Sequence, residues 1–284
     1  MTCRGPYILT TSLWLERGST ASVTETRVAI IGGTGVYEPA FSSEPRREKV
    51  ITPYGDTVVW AGRGPGKIPV FFLPRHGPEH RLPPHRINYR ANIWALKWLQ
   101  VKRVIATGAV GSLQPHLPPG SFVVVDQFID FTRNRPSTFY DRPGDPVVHT
   151  DFTEPYCPDI RKALLRAAAD RGVAAHDGAT YLCTEGPRYE TPAEIRIFQG
   201  WGADLVGMTG IPEVVLAREA GICFGLVAVV TNFAAGLGCE PLSHAEVSAL
   251  MAEKTPALRE LILLAVSYLG EMGERRSCRC QAAG

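Results

Sequence analysis

An arginine and a histidine stand side by side where a hydrophobic run ends, in "VFFLPRHGPEHRLPPHR" (70–86). Arg75 is a permanent cation whose planar fork suits an oxyanion, and His76 brings an imidazole to the same strand tip. Three histidines fall within ten residues here: His76, His80 and His85. Their spacing matches no standard zinc signature, and the neighbouring cations oppose a metal, so a phosphate-like partner explains the segment better than a cation does. A solvated loop is the plainer alternative.

Two further strand tips favour anions. "VAIIGGTG" ends in a glycine-rich turn that exposes backbone N–H groups, with the Thr34 hydroxyl beside them. "ATGAVGSL" offers the amides of Gly108 and Ala109. Neither is a nucleotide fingerprint. The dinucleotide motif needs glycine where Glu38 stands, and "GRGPGKI" (62–68) has the wrong spacing for a P-loop.

A second group of residues suits a planar ring and a sugar. In "TEGPRYETPAEIR" (184–196), Tyr189 can stack and Glu190 can accept from ring N–H groups. In "VGMTGIPE" (206–213), Met208 can pack below a sugar and Thr209 follows it. On spacing alone Tyr189 and Met208 fit an ordinary core as well. In "AVVTNFAAGL" (228–237), Asn232 is either a turn residue or the reading head of a pocket.

The elements that must position these groups alternate along the chain. Short β-branched runs at 28–33, 101–111, 120–130 and 223–232 read as buried strands. Segments 85–100, 157–172, 191–202 and 211–221 read as helices. A last helix starts at Ser243, where Ser243 and Glu246 fit a capping box, and extends to about Leu269 with Pro256 as a point where it can break. The pattern implies one α/β domain, residues 27–270, built on a mixed central sheet flanked by helices, with ligands at the carboxyl ends of strands. The Pro-rich stretches 74–84 and 134–147 read as functional loops. Residues 1–26 and 271–284 read as disordered extensions.

Composition bounds the function. The chain has 284 residues, 45% hydrophobic and 20% charged, with a formal net charge of +2, which carries no nucleic-acid or membrane footprint. Seven cysteines without framework spacing argue against a disulfide scaffold and for free thiols in the cytoplasm. Cys278-Arg-Cys280 is the one close pair; in a polar tail without histidine partners it reads as a poor zinc site, so no metal is expected.

Taken together, "GGTG", "RHG", "NYRANIWALK", "GSL", "DQFID", "EGPRYET", "GADLVGMTGIPEVVLAREAGIC" and "TN" resemble the trimeric purine nucleoside phosphorylase / methylthioadenosine phosphorylase family over about residues 27–265. The resemblance implies the nucleoside phosphorylase fold and phosphorolysis: inorganic phosphate attacks C1′ of a nucleoside and the purine leaves. Phosphate is then a co-substrate, and no cofactor is implied. The family also implies a homotrimer or a dimer of trimers.

By motif, Thr34, Arg75, His76, Gly108, Ala109 and Thr209 resemble the phosphate site. The methylthioadenosine branch has threonine where Gly108 stands, so here the loop amides remain without that hydroxyl. Met208 resembles the residue under the ribose, and Tyr189 the aromatic on the base. Asn232 and His76 are the residues to which the resemblance gives catalytic roles. His80 and His149 belong near the sugar, His149 in a segment that the family lends to the neighbouring subunit.

Three positions bear on the substrate. The methylthioadenosine branch carries a "TDYD"-like stretch where this chain has "TNFA", with Asn232 and Ala234. An amide serves N7 and a 6-oxo group without titrating. Glu190 stands where the 6-oxopurine enzymes have glutamate, and can accept the N1 proton that adenine lacks. His244 matches the histidine that meets a 5′-hydroxyl. The expected activity is therefore that of a purine nucleoside phosphorylase on inosine and guanosine, including 2′-deoxy forms. Methylthioinosine phosphorylase and then methylthioadenosine phosphorylase are the alternatives, and a non-catalytic purine-binding protein is the rival from another class.

Overall fold

In the computed structural model, the residues described are 26–36, 44–238, 242–273 and 277–280. The amino-terminal extension therefore lies outside the described residues, save Thr26.

The chain begins its fold with β1 (Val28–Gly32), buried on both faces, as expected of a parallel strand covered by helices. A hairpin of β2 (Arg46–Thr52) and β3 (Gly55–Arg63) follows, then β4 (Pro69–Pro74) and α1 (Tyr89–Trp98). Next come β5 (Arg103–Ser112), β6 (Phe122–Val124), β7 (Gln127–Phe131), α2 (Pro158–Asp170), β8 (Ala175–Asp177) and β9 (Thr180–Thr184). The chain ends with α3 (Pro192–Gly200), β10 (Leu205–Gly207), α4 (Gly210–Glu219), β11 (Cys223–Phe233) and α5 (His244–Glu271).

The strands form one mixed sheet in the order β2-β3-β4-β1-β5-β10-β9-β7, with β11, β6 and β8 branching from β5. Alternation along each strand divides the core. Ala29 and Ile31 of β1, with Phe224 and Leu226 of β11, pack with α1 and α4. Val28, Ile30, Val227 and Val229 pack on the other face with α2 and α5. The α/β class with one helix-flanked mixed sheet is as the sequence implies.

The branch at β5 makes room for a site. On one side β5 pairs with β1 through Ala106, then with β10 from Gly111. Between those partnerships, residues 107–110 have a strand neighbour only on the β11 side. The tips of β1 and β4 end beside this gap, since both run parallel to β5's first half.

Several local expectations change. The run 120–130 is two strands, because the chain leaves β11 after Val124 and β7 joins β9 instead. Pro256 lies inside α5, which continues unbroken through it. Of the expected capping box at α5, the Ser243 side chain accepting from Glu246 N is observed; the full reciprocal box occurs at α3, between Thr191 and Glu194. The expected loose tail does not hold for residues 277–280: Cys280 is buried and Ser277 N donates to Asp159 Oδ2 at 2.9 Å. Among the described residues no helix is long and apolar enough to cross a membrane.

Candidate active site

The gap beside β5 opens into a cleft of about 620 Å³, within the usual range for small-molecule sites. Thr34, Arg75, His76, His80, Gly108, Ala109, Tyr189, Glu190, Met208, Thr209, Asn232, Ala234 and His244 all line it. His149 does not: it is exposed on the long connection between β7 and α2, outside the cleft of its own chain.

Arg75 leaves the tip of β4 and is almost wholly buried, 1% exposed. Its Nε and Nη2 donate to the two oxygens of Glu213 at 2.7 and 2.8 Å, and Nη1 donates to the Thr107 carbonyl at 2.8 Å. Burial opposes the charge, but Glu213 holds the guanidinium charged, above its ordinary range. A guanidinium has five N–H groups, so these bonds leave hydrogens on Nη1 and Nη2 for an anion. Such an anion meets a fixed donor array more than a bare charge. The glycine turn exists for this arginine: a Cβ on Gly33 would stand 2.5 Å from Arg75 Nη1. Gly33 N in turn donates to Thr107 Oγ1 at 3.2 Å.

His76 is buried with its Nδ1 2.8 Å from the Leu82 carbonyl. A carbonyl only accepts, so Nδ1 carries the proton. Burial, and then the Arg75 charge, pull its pKa down to about 4, leaving a neutral imidazole with a free lone pair on Nε2 near pH 7. The His80 ring lies beside it, tilted by 52° with ring centroids 4.5 Å apart, and burial followed by His244 lowers its pKa as well. His85 is exposed.

The opposite wall reads differently. Glu190 is buried, accepts from Thr184 Oγ1 at 2.7 Å, and is raised above the usual glutamate range, chiefly by burial. Asn232 sits at a register shift where β11 slips against β5, a bulge that re-aims its side chain. Its Oδ1 accepts from Thr231 Oγ1 at 2.8 Å and its Nδ2 donates to the Phe233 carbonyl at 2.9 Å. Gly111 makes the room, since a Cβ there would lie 3.2 Å from Asn232 Nδ2. Tyr189 is exposed at the rim. Met208 precedes Thr209, which stands at the N-cap position of α4 without a side-chain capping bond.

Sequence reasoning missed two positioning residues. Glu213 is fully buried; a carboxylate inside the apolar run "GIPEVVL" was its one signal. Arg135, from the 134–147 loop, joins the loop after β9 to the loop after β10. Its Nη1 reaches the Met208 and Ile211 carbonyls at 2.8 and 2.7 Å, and its Nη2 reaches those of Thr184 and Glu185 at 3.2 and 2.6 Å. Nothing in its local sequence marks that role.

The cleft thus joins a donor-rich anion cradle, a thioether platform and a paired carboxylate and amide. Comparison with known proteins agrees with that chemistry. The model of the phosphorylase superfamily matches residues 27–267. The chain is similar to the 6-oxopurine nucleoside phosphorylase of Pyrococcus furiosus, 52% identical over 263 residues, covering 90% of this chain and 97% of that one. It is also similar to a probable S-methyl-5′-thioinosine phosphorylase of Methanopyrus kandleri, 49% identical over 259 residues, covering 91% and 97%. Among solved structures, methylthioadenosine phosphorylase from Schistosoma mansoni in complex with adenine superposes with a TM-score of 0.82 at 35% identity, covering 87% of this chain and 93% of that one.

Proposed function

The chain belongs to the phosphorylase superfamily, and within it we propose a purine nucleoside phosphorylase that converts inosine, guanosine and their 2′-deoxy forms, with phosphate, to free base and (deoxy)ribose 1-phosphate. The observation that carries the substrate assignment is the buried Glu190 carboxylate in one cleft with Asn232 and Ala234. A 6-oxopurine presents N1–H, which Glu190 accepts; adenine presents a bare N1, which would leave the carboxylate unpaired, and such mismatches discriminate strongly.

The reaction needs three things from the protein. The phosphate is held by the two remaining Arg75 hydrogens, the amides near Gly108 and Ala109, and the hydroxyls of Thr34 and Thr209. Neutral His76 accepts the P–O–H hydrogen through Nε2, which orients the deprotonated oxygens toward C1′. Met208 supports the ribose, and His80 and His244 meet its hydroxyls. As the C1′–N9 bond breaks, its electron pair passes to the purine, which takes up a proton from water at N7. Asn232 stabilises that charge: Oδ1 accepts from protonated N7 and the second Nδ2 hydrogen donates to O6.

The same reading takes inorganic phosphate as co-substrate without a redox or organic cofactor, a cytoplasmic homotrimer or dimer of trimers, and His149 completing a neighbour's cleft. Val147, two residues before His149, is 84% exposed in the single chain, which supports a covered surface there. The second reading, methylthioinosine, draws on Leu242 and Val247, apolar residues lining the cleft with His244.

A phosphate-dependent panel tests the proposal. Inosine and guanosine are expected to exceed methylthioadenosine by at least about 100-fold in kcat/KM, since a site that pairs a substrate N–H can discriminate by about 10⁴–10⁵-fold. Methylthioadenosine turned over equally well overturns the base assignment. Methylthioinosine preferred over inosine moves the assignment to the second reading.

A further inference from the structure

The cleft uses none of the four cysteines gathered at the other end of the sheet. Cys157 caps the start of α2, Cys223 opens β11, and Cys278 and Cys280 lie beyond α5. Their Sγ atoms all stand within 4.8 Å of one another, with Cys223 and Cys278 at 3.5 Å. Cys157, Cys223 and Cys280 are buried, and none is in a disulfide. In the sequence Cys278-Arg-Cys280 stands alone; the fold supplies Cys157 and Cys223 as its partners.

We propose that Cys157, Cys223, Cys278 and Cys280 form a tetrathiolate site for one zinc ion, which fastens the end of the chain to the sheet. A tetrahedral site with Zn–S of about 2.3 Å requires all four sulfurs to be mutually about 3.8 Å apart. Two disulfides would need closeness only within each pair, so the mutual approach of all four favours the metal. Binding is balanced as Zn²⁺ plus four thiols giving a tetrathiolate complex and four protons released to water.

The surroundings suit this ion. The site is closed, as structural zinc sites are. Cys157 is held in place by its own N–H, which donates to the Phe224 carbonyl at 2.8 Å, at the start of the 13-residue α2. Arg103 pairs in register with Cys223 and donates to the Leu269 and Gly273 carbonyls, both at 2.8 Å, which brings the end of α5 and a positive charge to the same corner. Asp159 accepts from Ser277 N at 2.9 Å and from its hydroxyl, anchoring the segment that carries Cys278 and Cys280.

Metal analysis of the full chain, untagged and purified without a metal column, is the test. One zinc per chain is expected, with four thiols that resist alkylation until a chelator removes the metal. Replacing zinc with Co²⁺ is expected to give an intense thiolate-to-cobalt charge-transfer band. The double variant Cys278→Ser, Cys280→Ser is expected to lose at least tenfold in zinc content and to melt roughly 5–10 °C lower, while inosine phosphorolysis stays within twofold. A metal-free protein overturns the proposal, whether all four thiols alkylate at once or the mass shows two disulfides. Absence of the cobalt band in the wild-type chain overturns it independently of how the variant folds.

Discussion

Strand β11 ends in two unlike places. At its start Cys223 faces three other thiols drawn from α2 and the end of the chain. At its far end, nine residues and roughly 30 Å away, Asn232 faces the cleft beside Glu190. Everything from Cys223 to Thr231 is buried, so the strand joins the two ends as a rigid rod. The thiol end draws its groups together to hold a fold. The asparagine end breaks its own ladder with a bulge and keeps spare hydrogen-bonding capacity for a ligand. A strand end that saturates its groups reads as stability, and one that reserves them reads as chemistry.

That contrast is broken most severely at Asn232. Asn232→Ala removes the acceptor for N7–H and the donor for O6, and is expected to lower kcat/KM for inosine by about 10²–10³-fold, the usual loss for one transition-state contact. Its melting temperature should stay near that of the wild type, because among the described residues the Asn232 side chain bonds to its sequence neighbours Thr231 and Phe233 alone. Substitution at the thiol end has the opposite signature, a lower melting point with turnover kept. If Asn232→Ala instead unfolds the protein with little effect on turnover, the division of labour along β11 is wrong.

The two ends also differ in how far the sequence exposes them. The cleft was legible because its parts sit in short contiguous words, and thirteen expected positions line it. A glycine turn or a strand-tip Arg-His carries its chemistry within a few residues. The cysteine cluster is illegible by the same standard: its ligands lie on three separate segments, and only α2, β11 and the end of α5 packing together unites them. Glu213 shows the same limit inside the active site, since it meets Arg75 across 138 positions of sequence. Arg135 does too, holding four carbonyls that only the folded loops bring near it. In the sheet, the long hydrophobic strands stood out. The three-residue strands β8 and β10 did not, because so few residues show no period.

Glu190 sharpens the asparagine end by pH. Burial raises its pKa, so the carboxyl protonates as pH falls through a value above the ordinary glutamate range. The protonated acid no longer accepts N1–H, and kcat/KM for inosine is expected to fall on that acid limb. Glu190→Gln keeps the shape and removes the charge. It should lose about 10–100-fold, as for a hydrogen bond to an ionised group, and should flatten the limb. His76 titrates lower, at about 4, so an acid limb that survives the substitution unchanged would assign it elsewhere.

The smallest effect should come from His244, at the first helical position of α5 and exposed at the mouth of the cleft. An exposed imidazole that meets one sugar hydroxyl contributes about one neutral hydrogen bond, so His244→Ala is expected to cost inosine roughly tenfold in kcat/KM. Methylthioinosine has no 5′-hydroxyl to lose, and Leu242 and Val247 remain to meet its methylthio group. Its kcat/KM should change by less than about twofold, so the ratio of the two substrates isolates the 5′ contact from any general damage to α5. Equal losses on both substrates would make His244 a part of the helix start and leave the 5′ end of the sugar to His80. That outcome would keep the base assignment, which rests on Glu190 and Asn232, intact.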